Sequence, residues 1–405
     1  MGDRIRRYWN SFPRQMWVLA AGGFANSLGS AIVFPFLTLY LRQKLGISMA
    51  QIALVFTLNA ITSLAAGMVG GLLADRLGRR VVILVSLAST SVVLFLMGIA
   101  GSYIQMVVLT GAIGITGPLF QPARDAMLAD LIGPDRRAEA YSVLRVSSNL
   151  GFAIGPAIGG FLAATSYLLS FGLAAGASLV FFFLALFMVR ETLPASARGG
   201  KAEGVPVVGF GPIFRDRIFM AFCGLMILTT IVYSQVLTNL PVYMKESFGF
   251  GESHFGWLMT TNGAMVVLLQ LGITRATARW RRLPAMALGT VLYAVGVGAF
   301  SLTRVFPAFV ACVAIYTLGE IILAPVSTAF TADLSPADMR GRYMGFLGLT
   351  WGAAYGIGPL LGGAIYDAGF PRELWLFVGA VGLVAAAGFL LLQRKTRPAL
   401  APASE

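Results

Sequence analysis

The chain is poor in nearly everything that soluble enzymes use. Its 405 residues include a single histidine, His254, and two cysteines, Cys223 and Cys312. One histidine leaves no basis for a His-based metal cluster or a nucleophile–histidine pair. Both cysteines lie inside long apolar runs, where they read as small buried side chains rather than a disulfide or a metal site. Charge is scarce as well. Charged residues make up 12% of the chain, against about 25% in an ordinary soluble domain. No phosphate-cradling loop and no nucleophile–base set is evident. The sequence therefore reads as a non-enzyme, without a metal and without a cofactor.

Apolar residues take up the space, at 57% of the chain and a mean hydropathy of +0.80. Apolar runs long enough to cross a bilayer recur along the whole length. The reading predicts twelve spans, at about 16–41, 48–74, 80–100, 104–132, 138–165, 167–190, 217–245, 253–274, 284–303, 306–333, 339–367 and 371–393. The start, "MGDRIRRYWNSFPRQMW", is basic and amphipathic and shows no cleavage site of a signal peptide. The net charge of +13 would suit nucleic acid, but the cations sit in short loops between spans, where they report orientation. Of the 30 Lys and Arg residues, 23 fall at the two termini and in the loops on their side, and 5 fall on the opposite side. Both termini are expected in the cytoplasm, and no nucleic-acid partner is expected. The remaining two, Arg124 and Arg145, fall within spans.

The longest loop, 191–216, is rich in Gly, Pro and small residues and lies at the midpoint. It is expected to link two bundles of six helices, 1–190 and 217–405. The halves repeat. Pro122 and Asp130 in "QPARDAMLAD" align with Pro325 and Asp333 in "APVSTAFTAD", and "GPAIGG" (155–160) aligns with "GPLLGG" (358–363), all at an offset of 203. The fold class predicted is an all-α membrane protein of twelve transmembrane helices in two pseudo-symmetric six-helix bundles.

Two stretches carry a family resemblance. "GGLLADRLGRR" (70–80) joins spans two and three. Gly71 is expected to allow close helix contact, Asp75 to end a helix, and Arg76, Arg79 and Arg80 to sit in a tight turn made possible by Gly78. With the spans and the repeat, this run resembles the cytoplasmic loop signature of the major facilitator superfamily. The resemblance implies a conformational lock formed by these residues with Asp130. The second copy, "GITRATARWRR" (272–282), is worn, with Ala276 where Asp75 would be, which implies an asymmetric lock. "GFAIGPAIGG" (151–160), with Gly151, Gly155, Pro156, Gly159 and Gly160, resembles the packing motif of the drug:proton antiporter branch. Small residues let membrane helices approach closely, and a generic packing face is the plainer reading. Span four departs from the family pattern: its early part, "IQMVVLTGAIG" (104–114), lacks the arginine usual in proton-coupled members.

The stretch "YTLGEIILAP" (316–325) places one acid, Glu320, in an apolar span. A charge at mid-bilayer costs at least about 2.5 kcal/mol and almost always faces a bundle interior or an aqueous cavity. Tyr316, Thr317, Glu320, Ser327 and Thr331 fall on one helical stripe, which is expected to line a cavity. The run resembles span ten of bacterial multidrug:proton antiporters. That resemblance makes Glu320 the leading proton-coupling residue, and Asp125 is a second candidate. Arg124 and Asp125 are adjacent and point about 100 degrees apart, so they are not expected to face one neighbour. Gln121, four residues before Asp125, shares its face. Arg145, or Arg124, is the candidate counter-ion for Glu320 or Asp125. Further cavity candidates are Asn26, Asn59, Tyr233, Asn239, Asn262, Trp351 and Tyr355. His254 is expected to be solvated in an outer loop.

These features add up to a secondary active transporter in a bacterial cytoplasmic membrane, exporting lipophilic or cationic small molecules in exchange for protons. It is expected to be a monomer whose partners are substrate, protons and membrane lipids. Two alternatives stay open: an exporter or flippase of an amphiphilic lipid or glycolipid, and a non-transporting membrane receptor or scaffold.

Overall fold

The computed structural model describes residues 11–193, 211–277, 279–336 and 339–396. The tails and most of the expected linker, 194–210, lie outside the described residues. Every regular element among the described residues is helical. A helix satisfies the backbone of an apolar run within the run itself, where a bilayer offers no water.

In chain order the helices are α1 (Arg14–Val33), α2 (Leu37–Leu45), α3 (Met49–Leu77), α4 (Arg79–Ile99), α5 (Tyr103–Thr116), α6 (Phe120–Leu131), α7 (Arg137–Thr165) and α8 (Tyr167–Met188). They continue as α9 (Gly211–Arg215), α10 (Arg217–Thr238), α11 (Leu240–Phe248), α12 (Glu252–Thr277), α13 (Arg282–Gly298), α14 (Phe306–Leu334), α15 (Arg340–Asp367) and α16 (Glu373–Thr396). Three expected spans are broken. Span one changes to 3-10 geometry at Phe34–Phe36 and span four at Gly117–Leu119, each break carrying a proline, and span seven breaks at Asn239 just before Pro241. Proline has no N–H to give the preceding turn, which favours a change of helix geometry at these places, although Pro156, Pro325 and Pro359 lie inside continuous helices.

Eleven stretches are long and apolar enough to cross a membrane. α15, the expected eleventh span, is not among them, although it runs unbroken for 28 residues. Its glycines, tyrosines and arginines dilute its hydropathy. Large apolar side chains stay exposed along the helices, as at Phe187 (79%) and Leu268 (77%). Such a surface suits lipid rather than water.

The chain divides into two compact units, 1–46 with 58–205, and 47–57 with 206–405. The start of α3 therefore belongs with the second unit. There the Asp367 carboxylate accepts the Met49 and Ala50 amides at 3.0 and 2.7 Å, and the Thr57 hydroxyl donates to the Gly356 carbonyl at 2.6 Å. The two units repeat one pattern of packing. In the first, α1 lies along α7 and α8, and α4 along α8. In the second, α10 lies along α15 and α16, and α13 along α16.

The α1–α7 seam is made by the glycines of the 151–160 motif. A Cβ on Gly151 would meet the Phe24 carbonyl at 2.5 Å, and one on Gly159 the Ile32 carbonyl at 2.5 Å. One on Gly155 would overlap Ala31. Pro156 and Gly160 are buried in the same helix. In the second unit Gly358 and Gly362 bring α15 equally close to Ser234 and Gln235 of α10. Chain reversals repeat too: Gly46 after α2 and Gly249 after α11, 203 residues apart, both adopt positive φ (63° and 73°). Glycine alone does so without strain.

Both ends of the expected linker are among the described residues. Glu191 is part of a network described below. Ile213 of α9 is buried, and Asp216 caps α10 by accepting the Phe219 amide at 2.9 Å. Cys223 and Cys312 are buried and free.

Candidate functional site

Glu320 sits midway along α14, on the stripe expected from spacing. Its Oε2 accepts a hydrogen bond of 2.8 Å from Asn262 Nδ2 on α12, and the same amide donates to the Thr317 hydroxyl at 2.9 Å. No cation pairs with Glu320 among the described residues of its unit. The carboxylate lines a cavity of about 60 Å³ with Thr229, Tyr233, Tyr293, Ser327 and Trp351.

Aromatic rings crowd this side of the second unit. Tyr233 meets Tyr293 edge-on at 5.8 Å and Trp351 at 6.3 Å. Tyr316 stacks on Tyr293 at 6.0 Å, and Tyr355 stacks on Trp351 at 6.3 Å. The Tyr316 hydroxyl is buried with no hydrogen-bond partner. Tyr293 was not legible as a site residue, because one tyrosine in an apolar span gives no signal of its own. Thr331, the last residue of the stripe, is fully buried and bonds back to the Ser327 carbonyl. Asn239 is elsewhere: it is buried at the α10–α11 break, where its Nδ2 donates to Gln235 Oε1 at 2.6 Å. Gln235 in turn donates to the Gly358 carbonyl at 2.8 Å. Asn239 thus holds the break and does not line the Glu320 cavity.

The first unit has a cavity of its own, about 200 Å³, lined by Asn26, Ser30, Asn59, Ser86, Thr90 and Phe120 among others, and by no charged residue. Asn26 Oδ1 accepts from Ser178 at 3.3 Å, and Asn59 Nδ2 donates to the Thr110 carbonyl at 3.2 Å.

Arg124 and Asp125 lie to one side of it on α6. Adjacent residues diverge on a helix, yet the long guanidinium of Arg124 folds back, and Nη2 and Nε reach Asp125 Oδ1 at 2.8 and 3.0 Å. The two charges therefore pair with each other. Gln121 donates to the other oxygen of Asp125 at 3.0 Å, as its spacing predicts. Arg124 is 7% exposed and lies over the Phe120 ring. Arg145 is exposed and makes no hydrogen bond or ion pair among the described residues, so it is not the counter-ion of Asp125.

The 70–80 run forms a network inside the first unit. Arg79 Nε lies 3.0 Å from Asp130 Oδ2, an ion pair in which the N–H is not aimed at the oxygen, and Nη2 lies 3.6 Å from Asp75. The Thr192 hydroxyl donates to Asp130 at 2.6 Å. Arg80 donates to the Leu186 carbonyl at 2.6 Å, and Arg76 is exposed. Gly78 has φ +102°. A Cβ on Gly71 would meet nothing within 4 Å; the close approach expected there falls one residue earlier, at Gly70 against Pro122 and Leu119.

Glu191 completes the network. Its carboxylate accepts the amides of Arg79, Arg80, Thr192 and Leu193 at 2.9 to 3.1 Å. A carboxylate on the first amides of α4 satisfies orphan donors and complements the helix dipole.

In the second unit Arg282 Nε lies 3.2 Å from Asp333 Oδ2. Arg282 stands 203 residues after Arg79, as Asp333 does after Asp130. The ion pair is therefore repeated, at an offset two residues away from the register that put Ala276 opposite Asp75. A carboxylate does not recur at the corresponding position: 203 residues after Glu191 stands Arg394.

An all-α chain with many spans and a polar cavity inside each of two repeated units has the build of a membrane transporter. Residues 19–251 and 231–405 each match the Major Facilitator Superfamily, and the chain belongs to that family. It is 29% identical over 392 residues to the uncharacterized MFS-type transporter YttB of Bacillus subtilis, covering 96% of this chain and 97% of that one. It is 28% identical to a Na(+), Li(+), K(+)/H(+) antiporter of Planococcus maritimus (95% and 96% covered). It is 28% identical to the multidrug resistance protein MdtH of Aeromonas hydrophila (91% and 92% covered). A crystal structure of a POT family transporter in complex with 5-aminolevulinic acid superposes with a TM-score of 0.80 at 17% identity, over 95% of this chain and 96% of that one. The chain is an integral membrane protein with the fold of transporters.

Proposed function

We propose that the protein exports lipophilic cations in exchange for protons, with Glu320 as the group that both must use. One observation carries the reading: a lone carboxylate inside a membrane span, held by the Asn262 amide and no cation, beside Tyr233, Tyr293 and Trp351. Aromatic faces attract organic cations, and more strongly where water is excluded. One carboxyl cannot hold a proton and pair with a cation at once. A proton taken from the acidic side of the membrane displaces the cation, and its loss on the other side readies the site again. With alternating exposure to the two sides, this competition makes an antiporter.

Asp125 is the weaker candidate, because it binds a cation only by giving up Arg124. The relatives named as a multidrug resistance protein and as a cation/proton antiporter favour the same reading. On this reading the protein is a monomer of twelve spans in the cytoplasmic membrane, with both termini inside.

The test is ethidium efflux from proteoliposomes driven by a proton gradient, with sodium counter-transport measured in parallel. Wild-type efflux that no longer responds to the gradient in Glu320→Gln supports the proposal. Equal coupling in the variant moves the role to Asp125. Sodium transport without ethidium transport overturns the choice of cargo. If neither moves, lipid and glycolipid cargo comes next.

A further inference from the structure

The cavities of the two units are counterparts. At the offset of 203, Asn26, Ser30, Thr90 and Phe120 of the first correspond to Thr229, Tyr233, Tyr293 and Leu323 of the second. Asn59 corresponds to Asn262, the partner of Glu320. Glu320 itself corresponds to Gly117, which also lines the first cavity. The same pocket position thus occurs in both units. In the second unit it holds a carboxylate and two tyrosines. In the first, a serine and a threonine stand where those tyrosines are and a glycine where the acid is, and the cavity is larger, about 200 Å³ against 60 Å³.

What the first cavity offers follows from its hydrogen bonds. The Ser86 hydroxyl donates to the Thr116 carbonyl at 2.7 Å, which leaves its oxygen to accept. Asn59 uses Nδ2 on Thr110, which leaves its carbonyl. Asn26 uses its carbonyl on Ser178, which leaves its NH₂ to donate. Thr90 is 8% exposed and has no hydrogen-bond partner among the described residues. Phe34 and Phe120 supply aromatic walls. Donors and acceptors are both present, and no charged side chain lines the space. Burying an unpaired charge costs far more than burying a hydrogen-bonded neutral group.

We propose that this cavity is a second ligand site, selective for an uncharged, fragment-sized molecule that carries an amide or hydroxyl on an apolar ring. It is an equilibrium binding site and does not depend on the role given to Glu320.

A matched pair of probes tests it: neutral 4-fluorobenzamide and its cationic counterpart of the same shape, 4-fluorobenzamidinium. Each is followed by fluorine NMR line broadening with the purified full chain in phosphatidylcholine nanodiscs, against empty nanodiscs. The expected result is amide broadening that falls to the empty-disc level in both Thr90→Tyr and Ser30→Tyr, which give the first cavity the tyrosines of the second. It should persist in Glu320→Gln. Whatever the amidinium does at Glu320, Thr90→Tyr should leave it unchanged. Gly117→Glu should reverse the preference, by about tenfold in favour of the cation. The change is tolerable because Gly117 is in right-handed helical geometry and a Cβ there meets only Ile113 Cγ1, at 4.0 Å. Amide broadening that survives both tyrosine variants overturns the site. Amidinium broadening as sensitive to Thr90→Tyr as the amide's, or no gain for the cation in Gly117→Glu, overturns its charge selectivity.

Discussion

Gly78 and Glu191 share one small volume: a side chain on Gly78 would fall on the Glu191 carboxylate, and Gly78 holds φ +102°. Both features point to one requirement, that the α3–α4 turn leave room for an acid on the first amides of α4. Glu191→Gln keeps the shape and removes the charge, and it should cost about 1 kcal/mol of stability. Gly78→Ala adds strain of about 1–3 kcal/mol and displaces the carboxylate. The expected order of melting temperatures in detergent is wild type, Glu191→Gln, Gly78→Ala. Equal melting of all three would count against the cap.

The repeated ion pair should be unequal in strength. Arg79 is 12% exposed and Arg282 35%. An exposed pair contributes about 0–1 kcal/mol, and less in salt. Double-mutant cycles on Arg79/Asp130 and Arg282/Asp333 should therefore give the larger coupling in the first unit, with the second falling toward zero in 1 M salt.

Asn262 should matter through charge rather than shape. A hydrogen bond to an ionised group contributes about 1.5–3 kcal/mol. Asn262→Ala should then weaken ethidium transport by about tenfold or more in kcat/KM. In a Glu320→Gln background, where the acceptor is already neutral, the further loss should be small. Additive losses would mean that the two residues act separately.

Glycine substitutions should sort by what surrounds them. Gly159→Ala presses a methyl group against the backbone of Ile32, which cannot move aside as a side chain could, and should cost about 1–3 kcal/mol. Gly71→Ala meets open space and should leave the melting temperature unchanged. A large loss at Gly71 would show that it packs in another conformation of the protein.

Span positions were legible because bilayer thickness sets a length that apolar runs must match. The breaks at Pro35, Pro118 and Pro241 carried a signal as well, since proline interrupts backbone pairing, although hydropathy alone runs through them. Glu320 stood out as a lone acid on an apolar helix, and its polar stripe gave its direction. Its partner Asn262 was only one amide among several. Arg282 was hidden by register: the offset of 203 that aligns Asp130 with Asp333 also aligns Arg79 with Arg282, whereas setting Ala276 opposite Asp75 uses an offset of 201 and separates them. Glu191 was invisible as a cap, since the amides it serves lie more than a hundred residues back along the chain. The first-unit cavity was legible only through its amides, Asn26 and Asn59: where the acid would be there is a glycine, which carries no signal of its own.

Trp351 lines the Glu320 cavity, stacked on Tyr355 and edge-on to Tyr233. Anything that comes to rest beside the carboxylate must also come to rest beside an indole. The chain holds six tryptophans, so in a variant that keeps only Trp351 occupancy of the site can be read from the indole fluorescence of the purified protein, without a label.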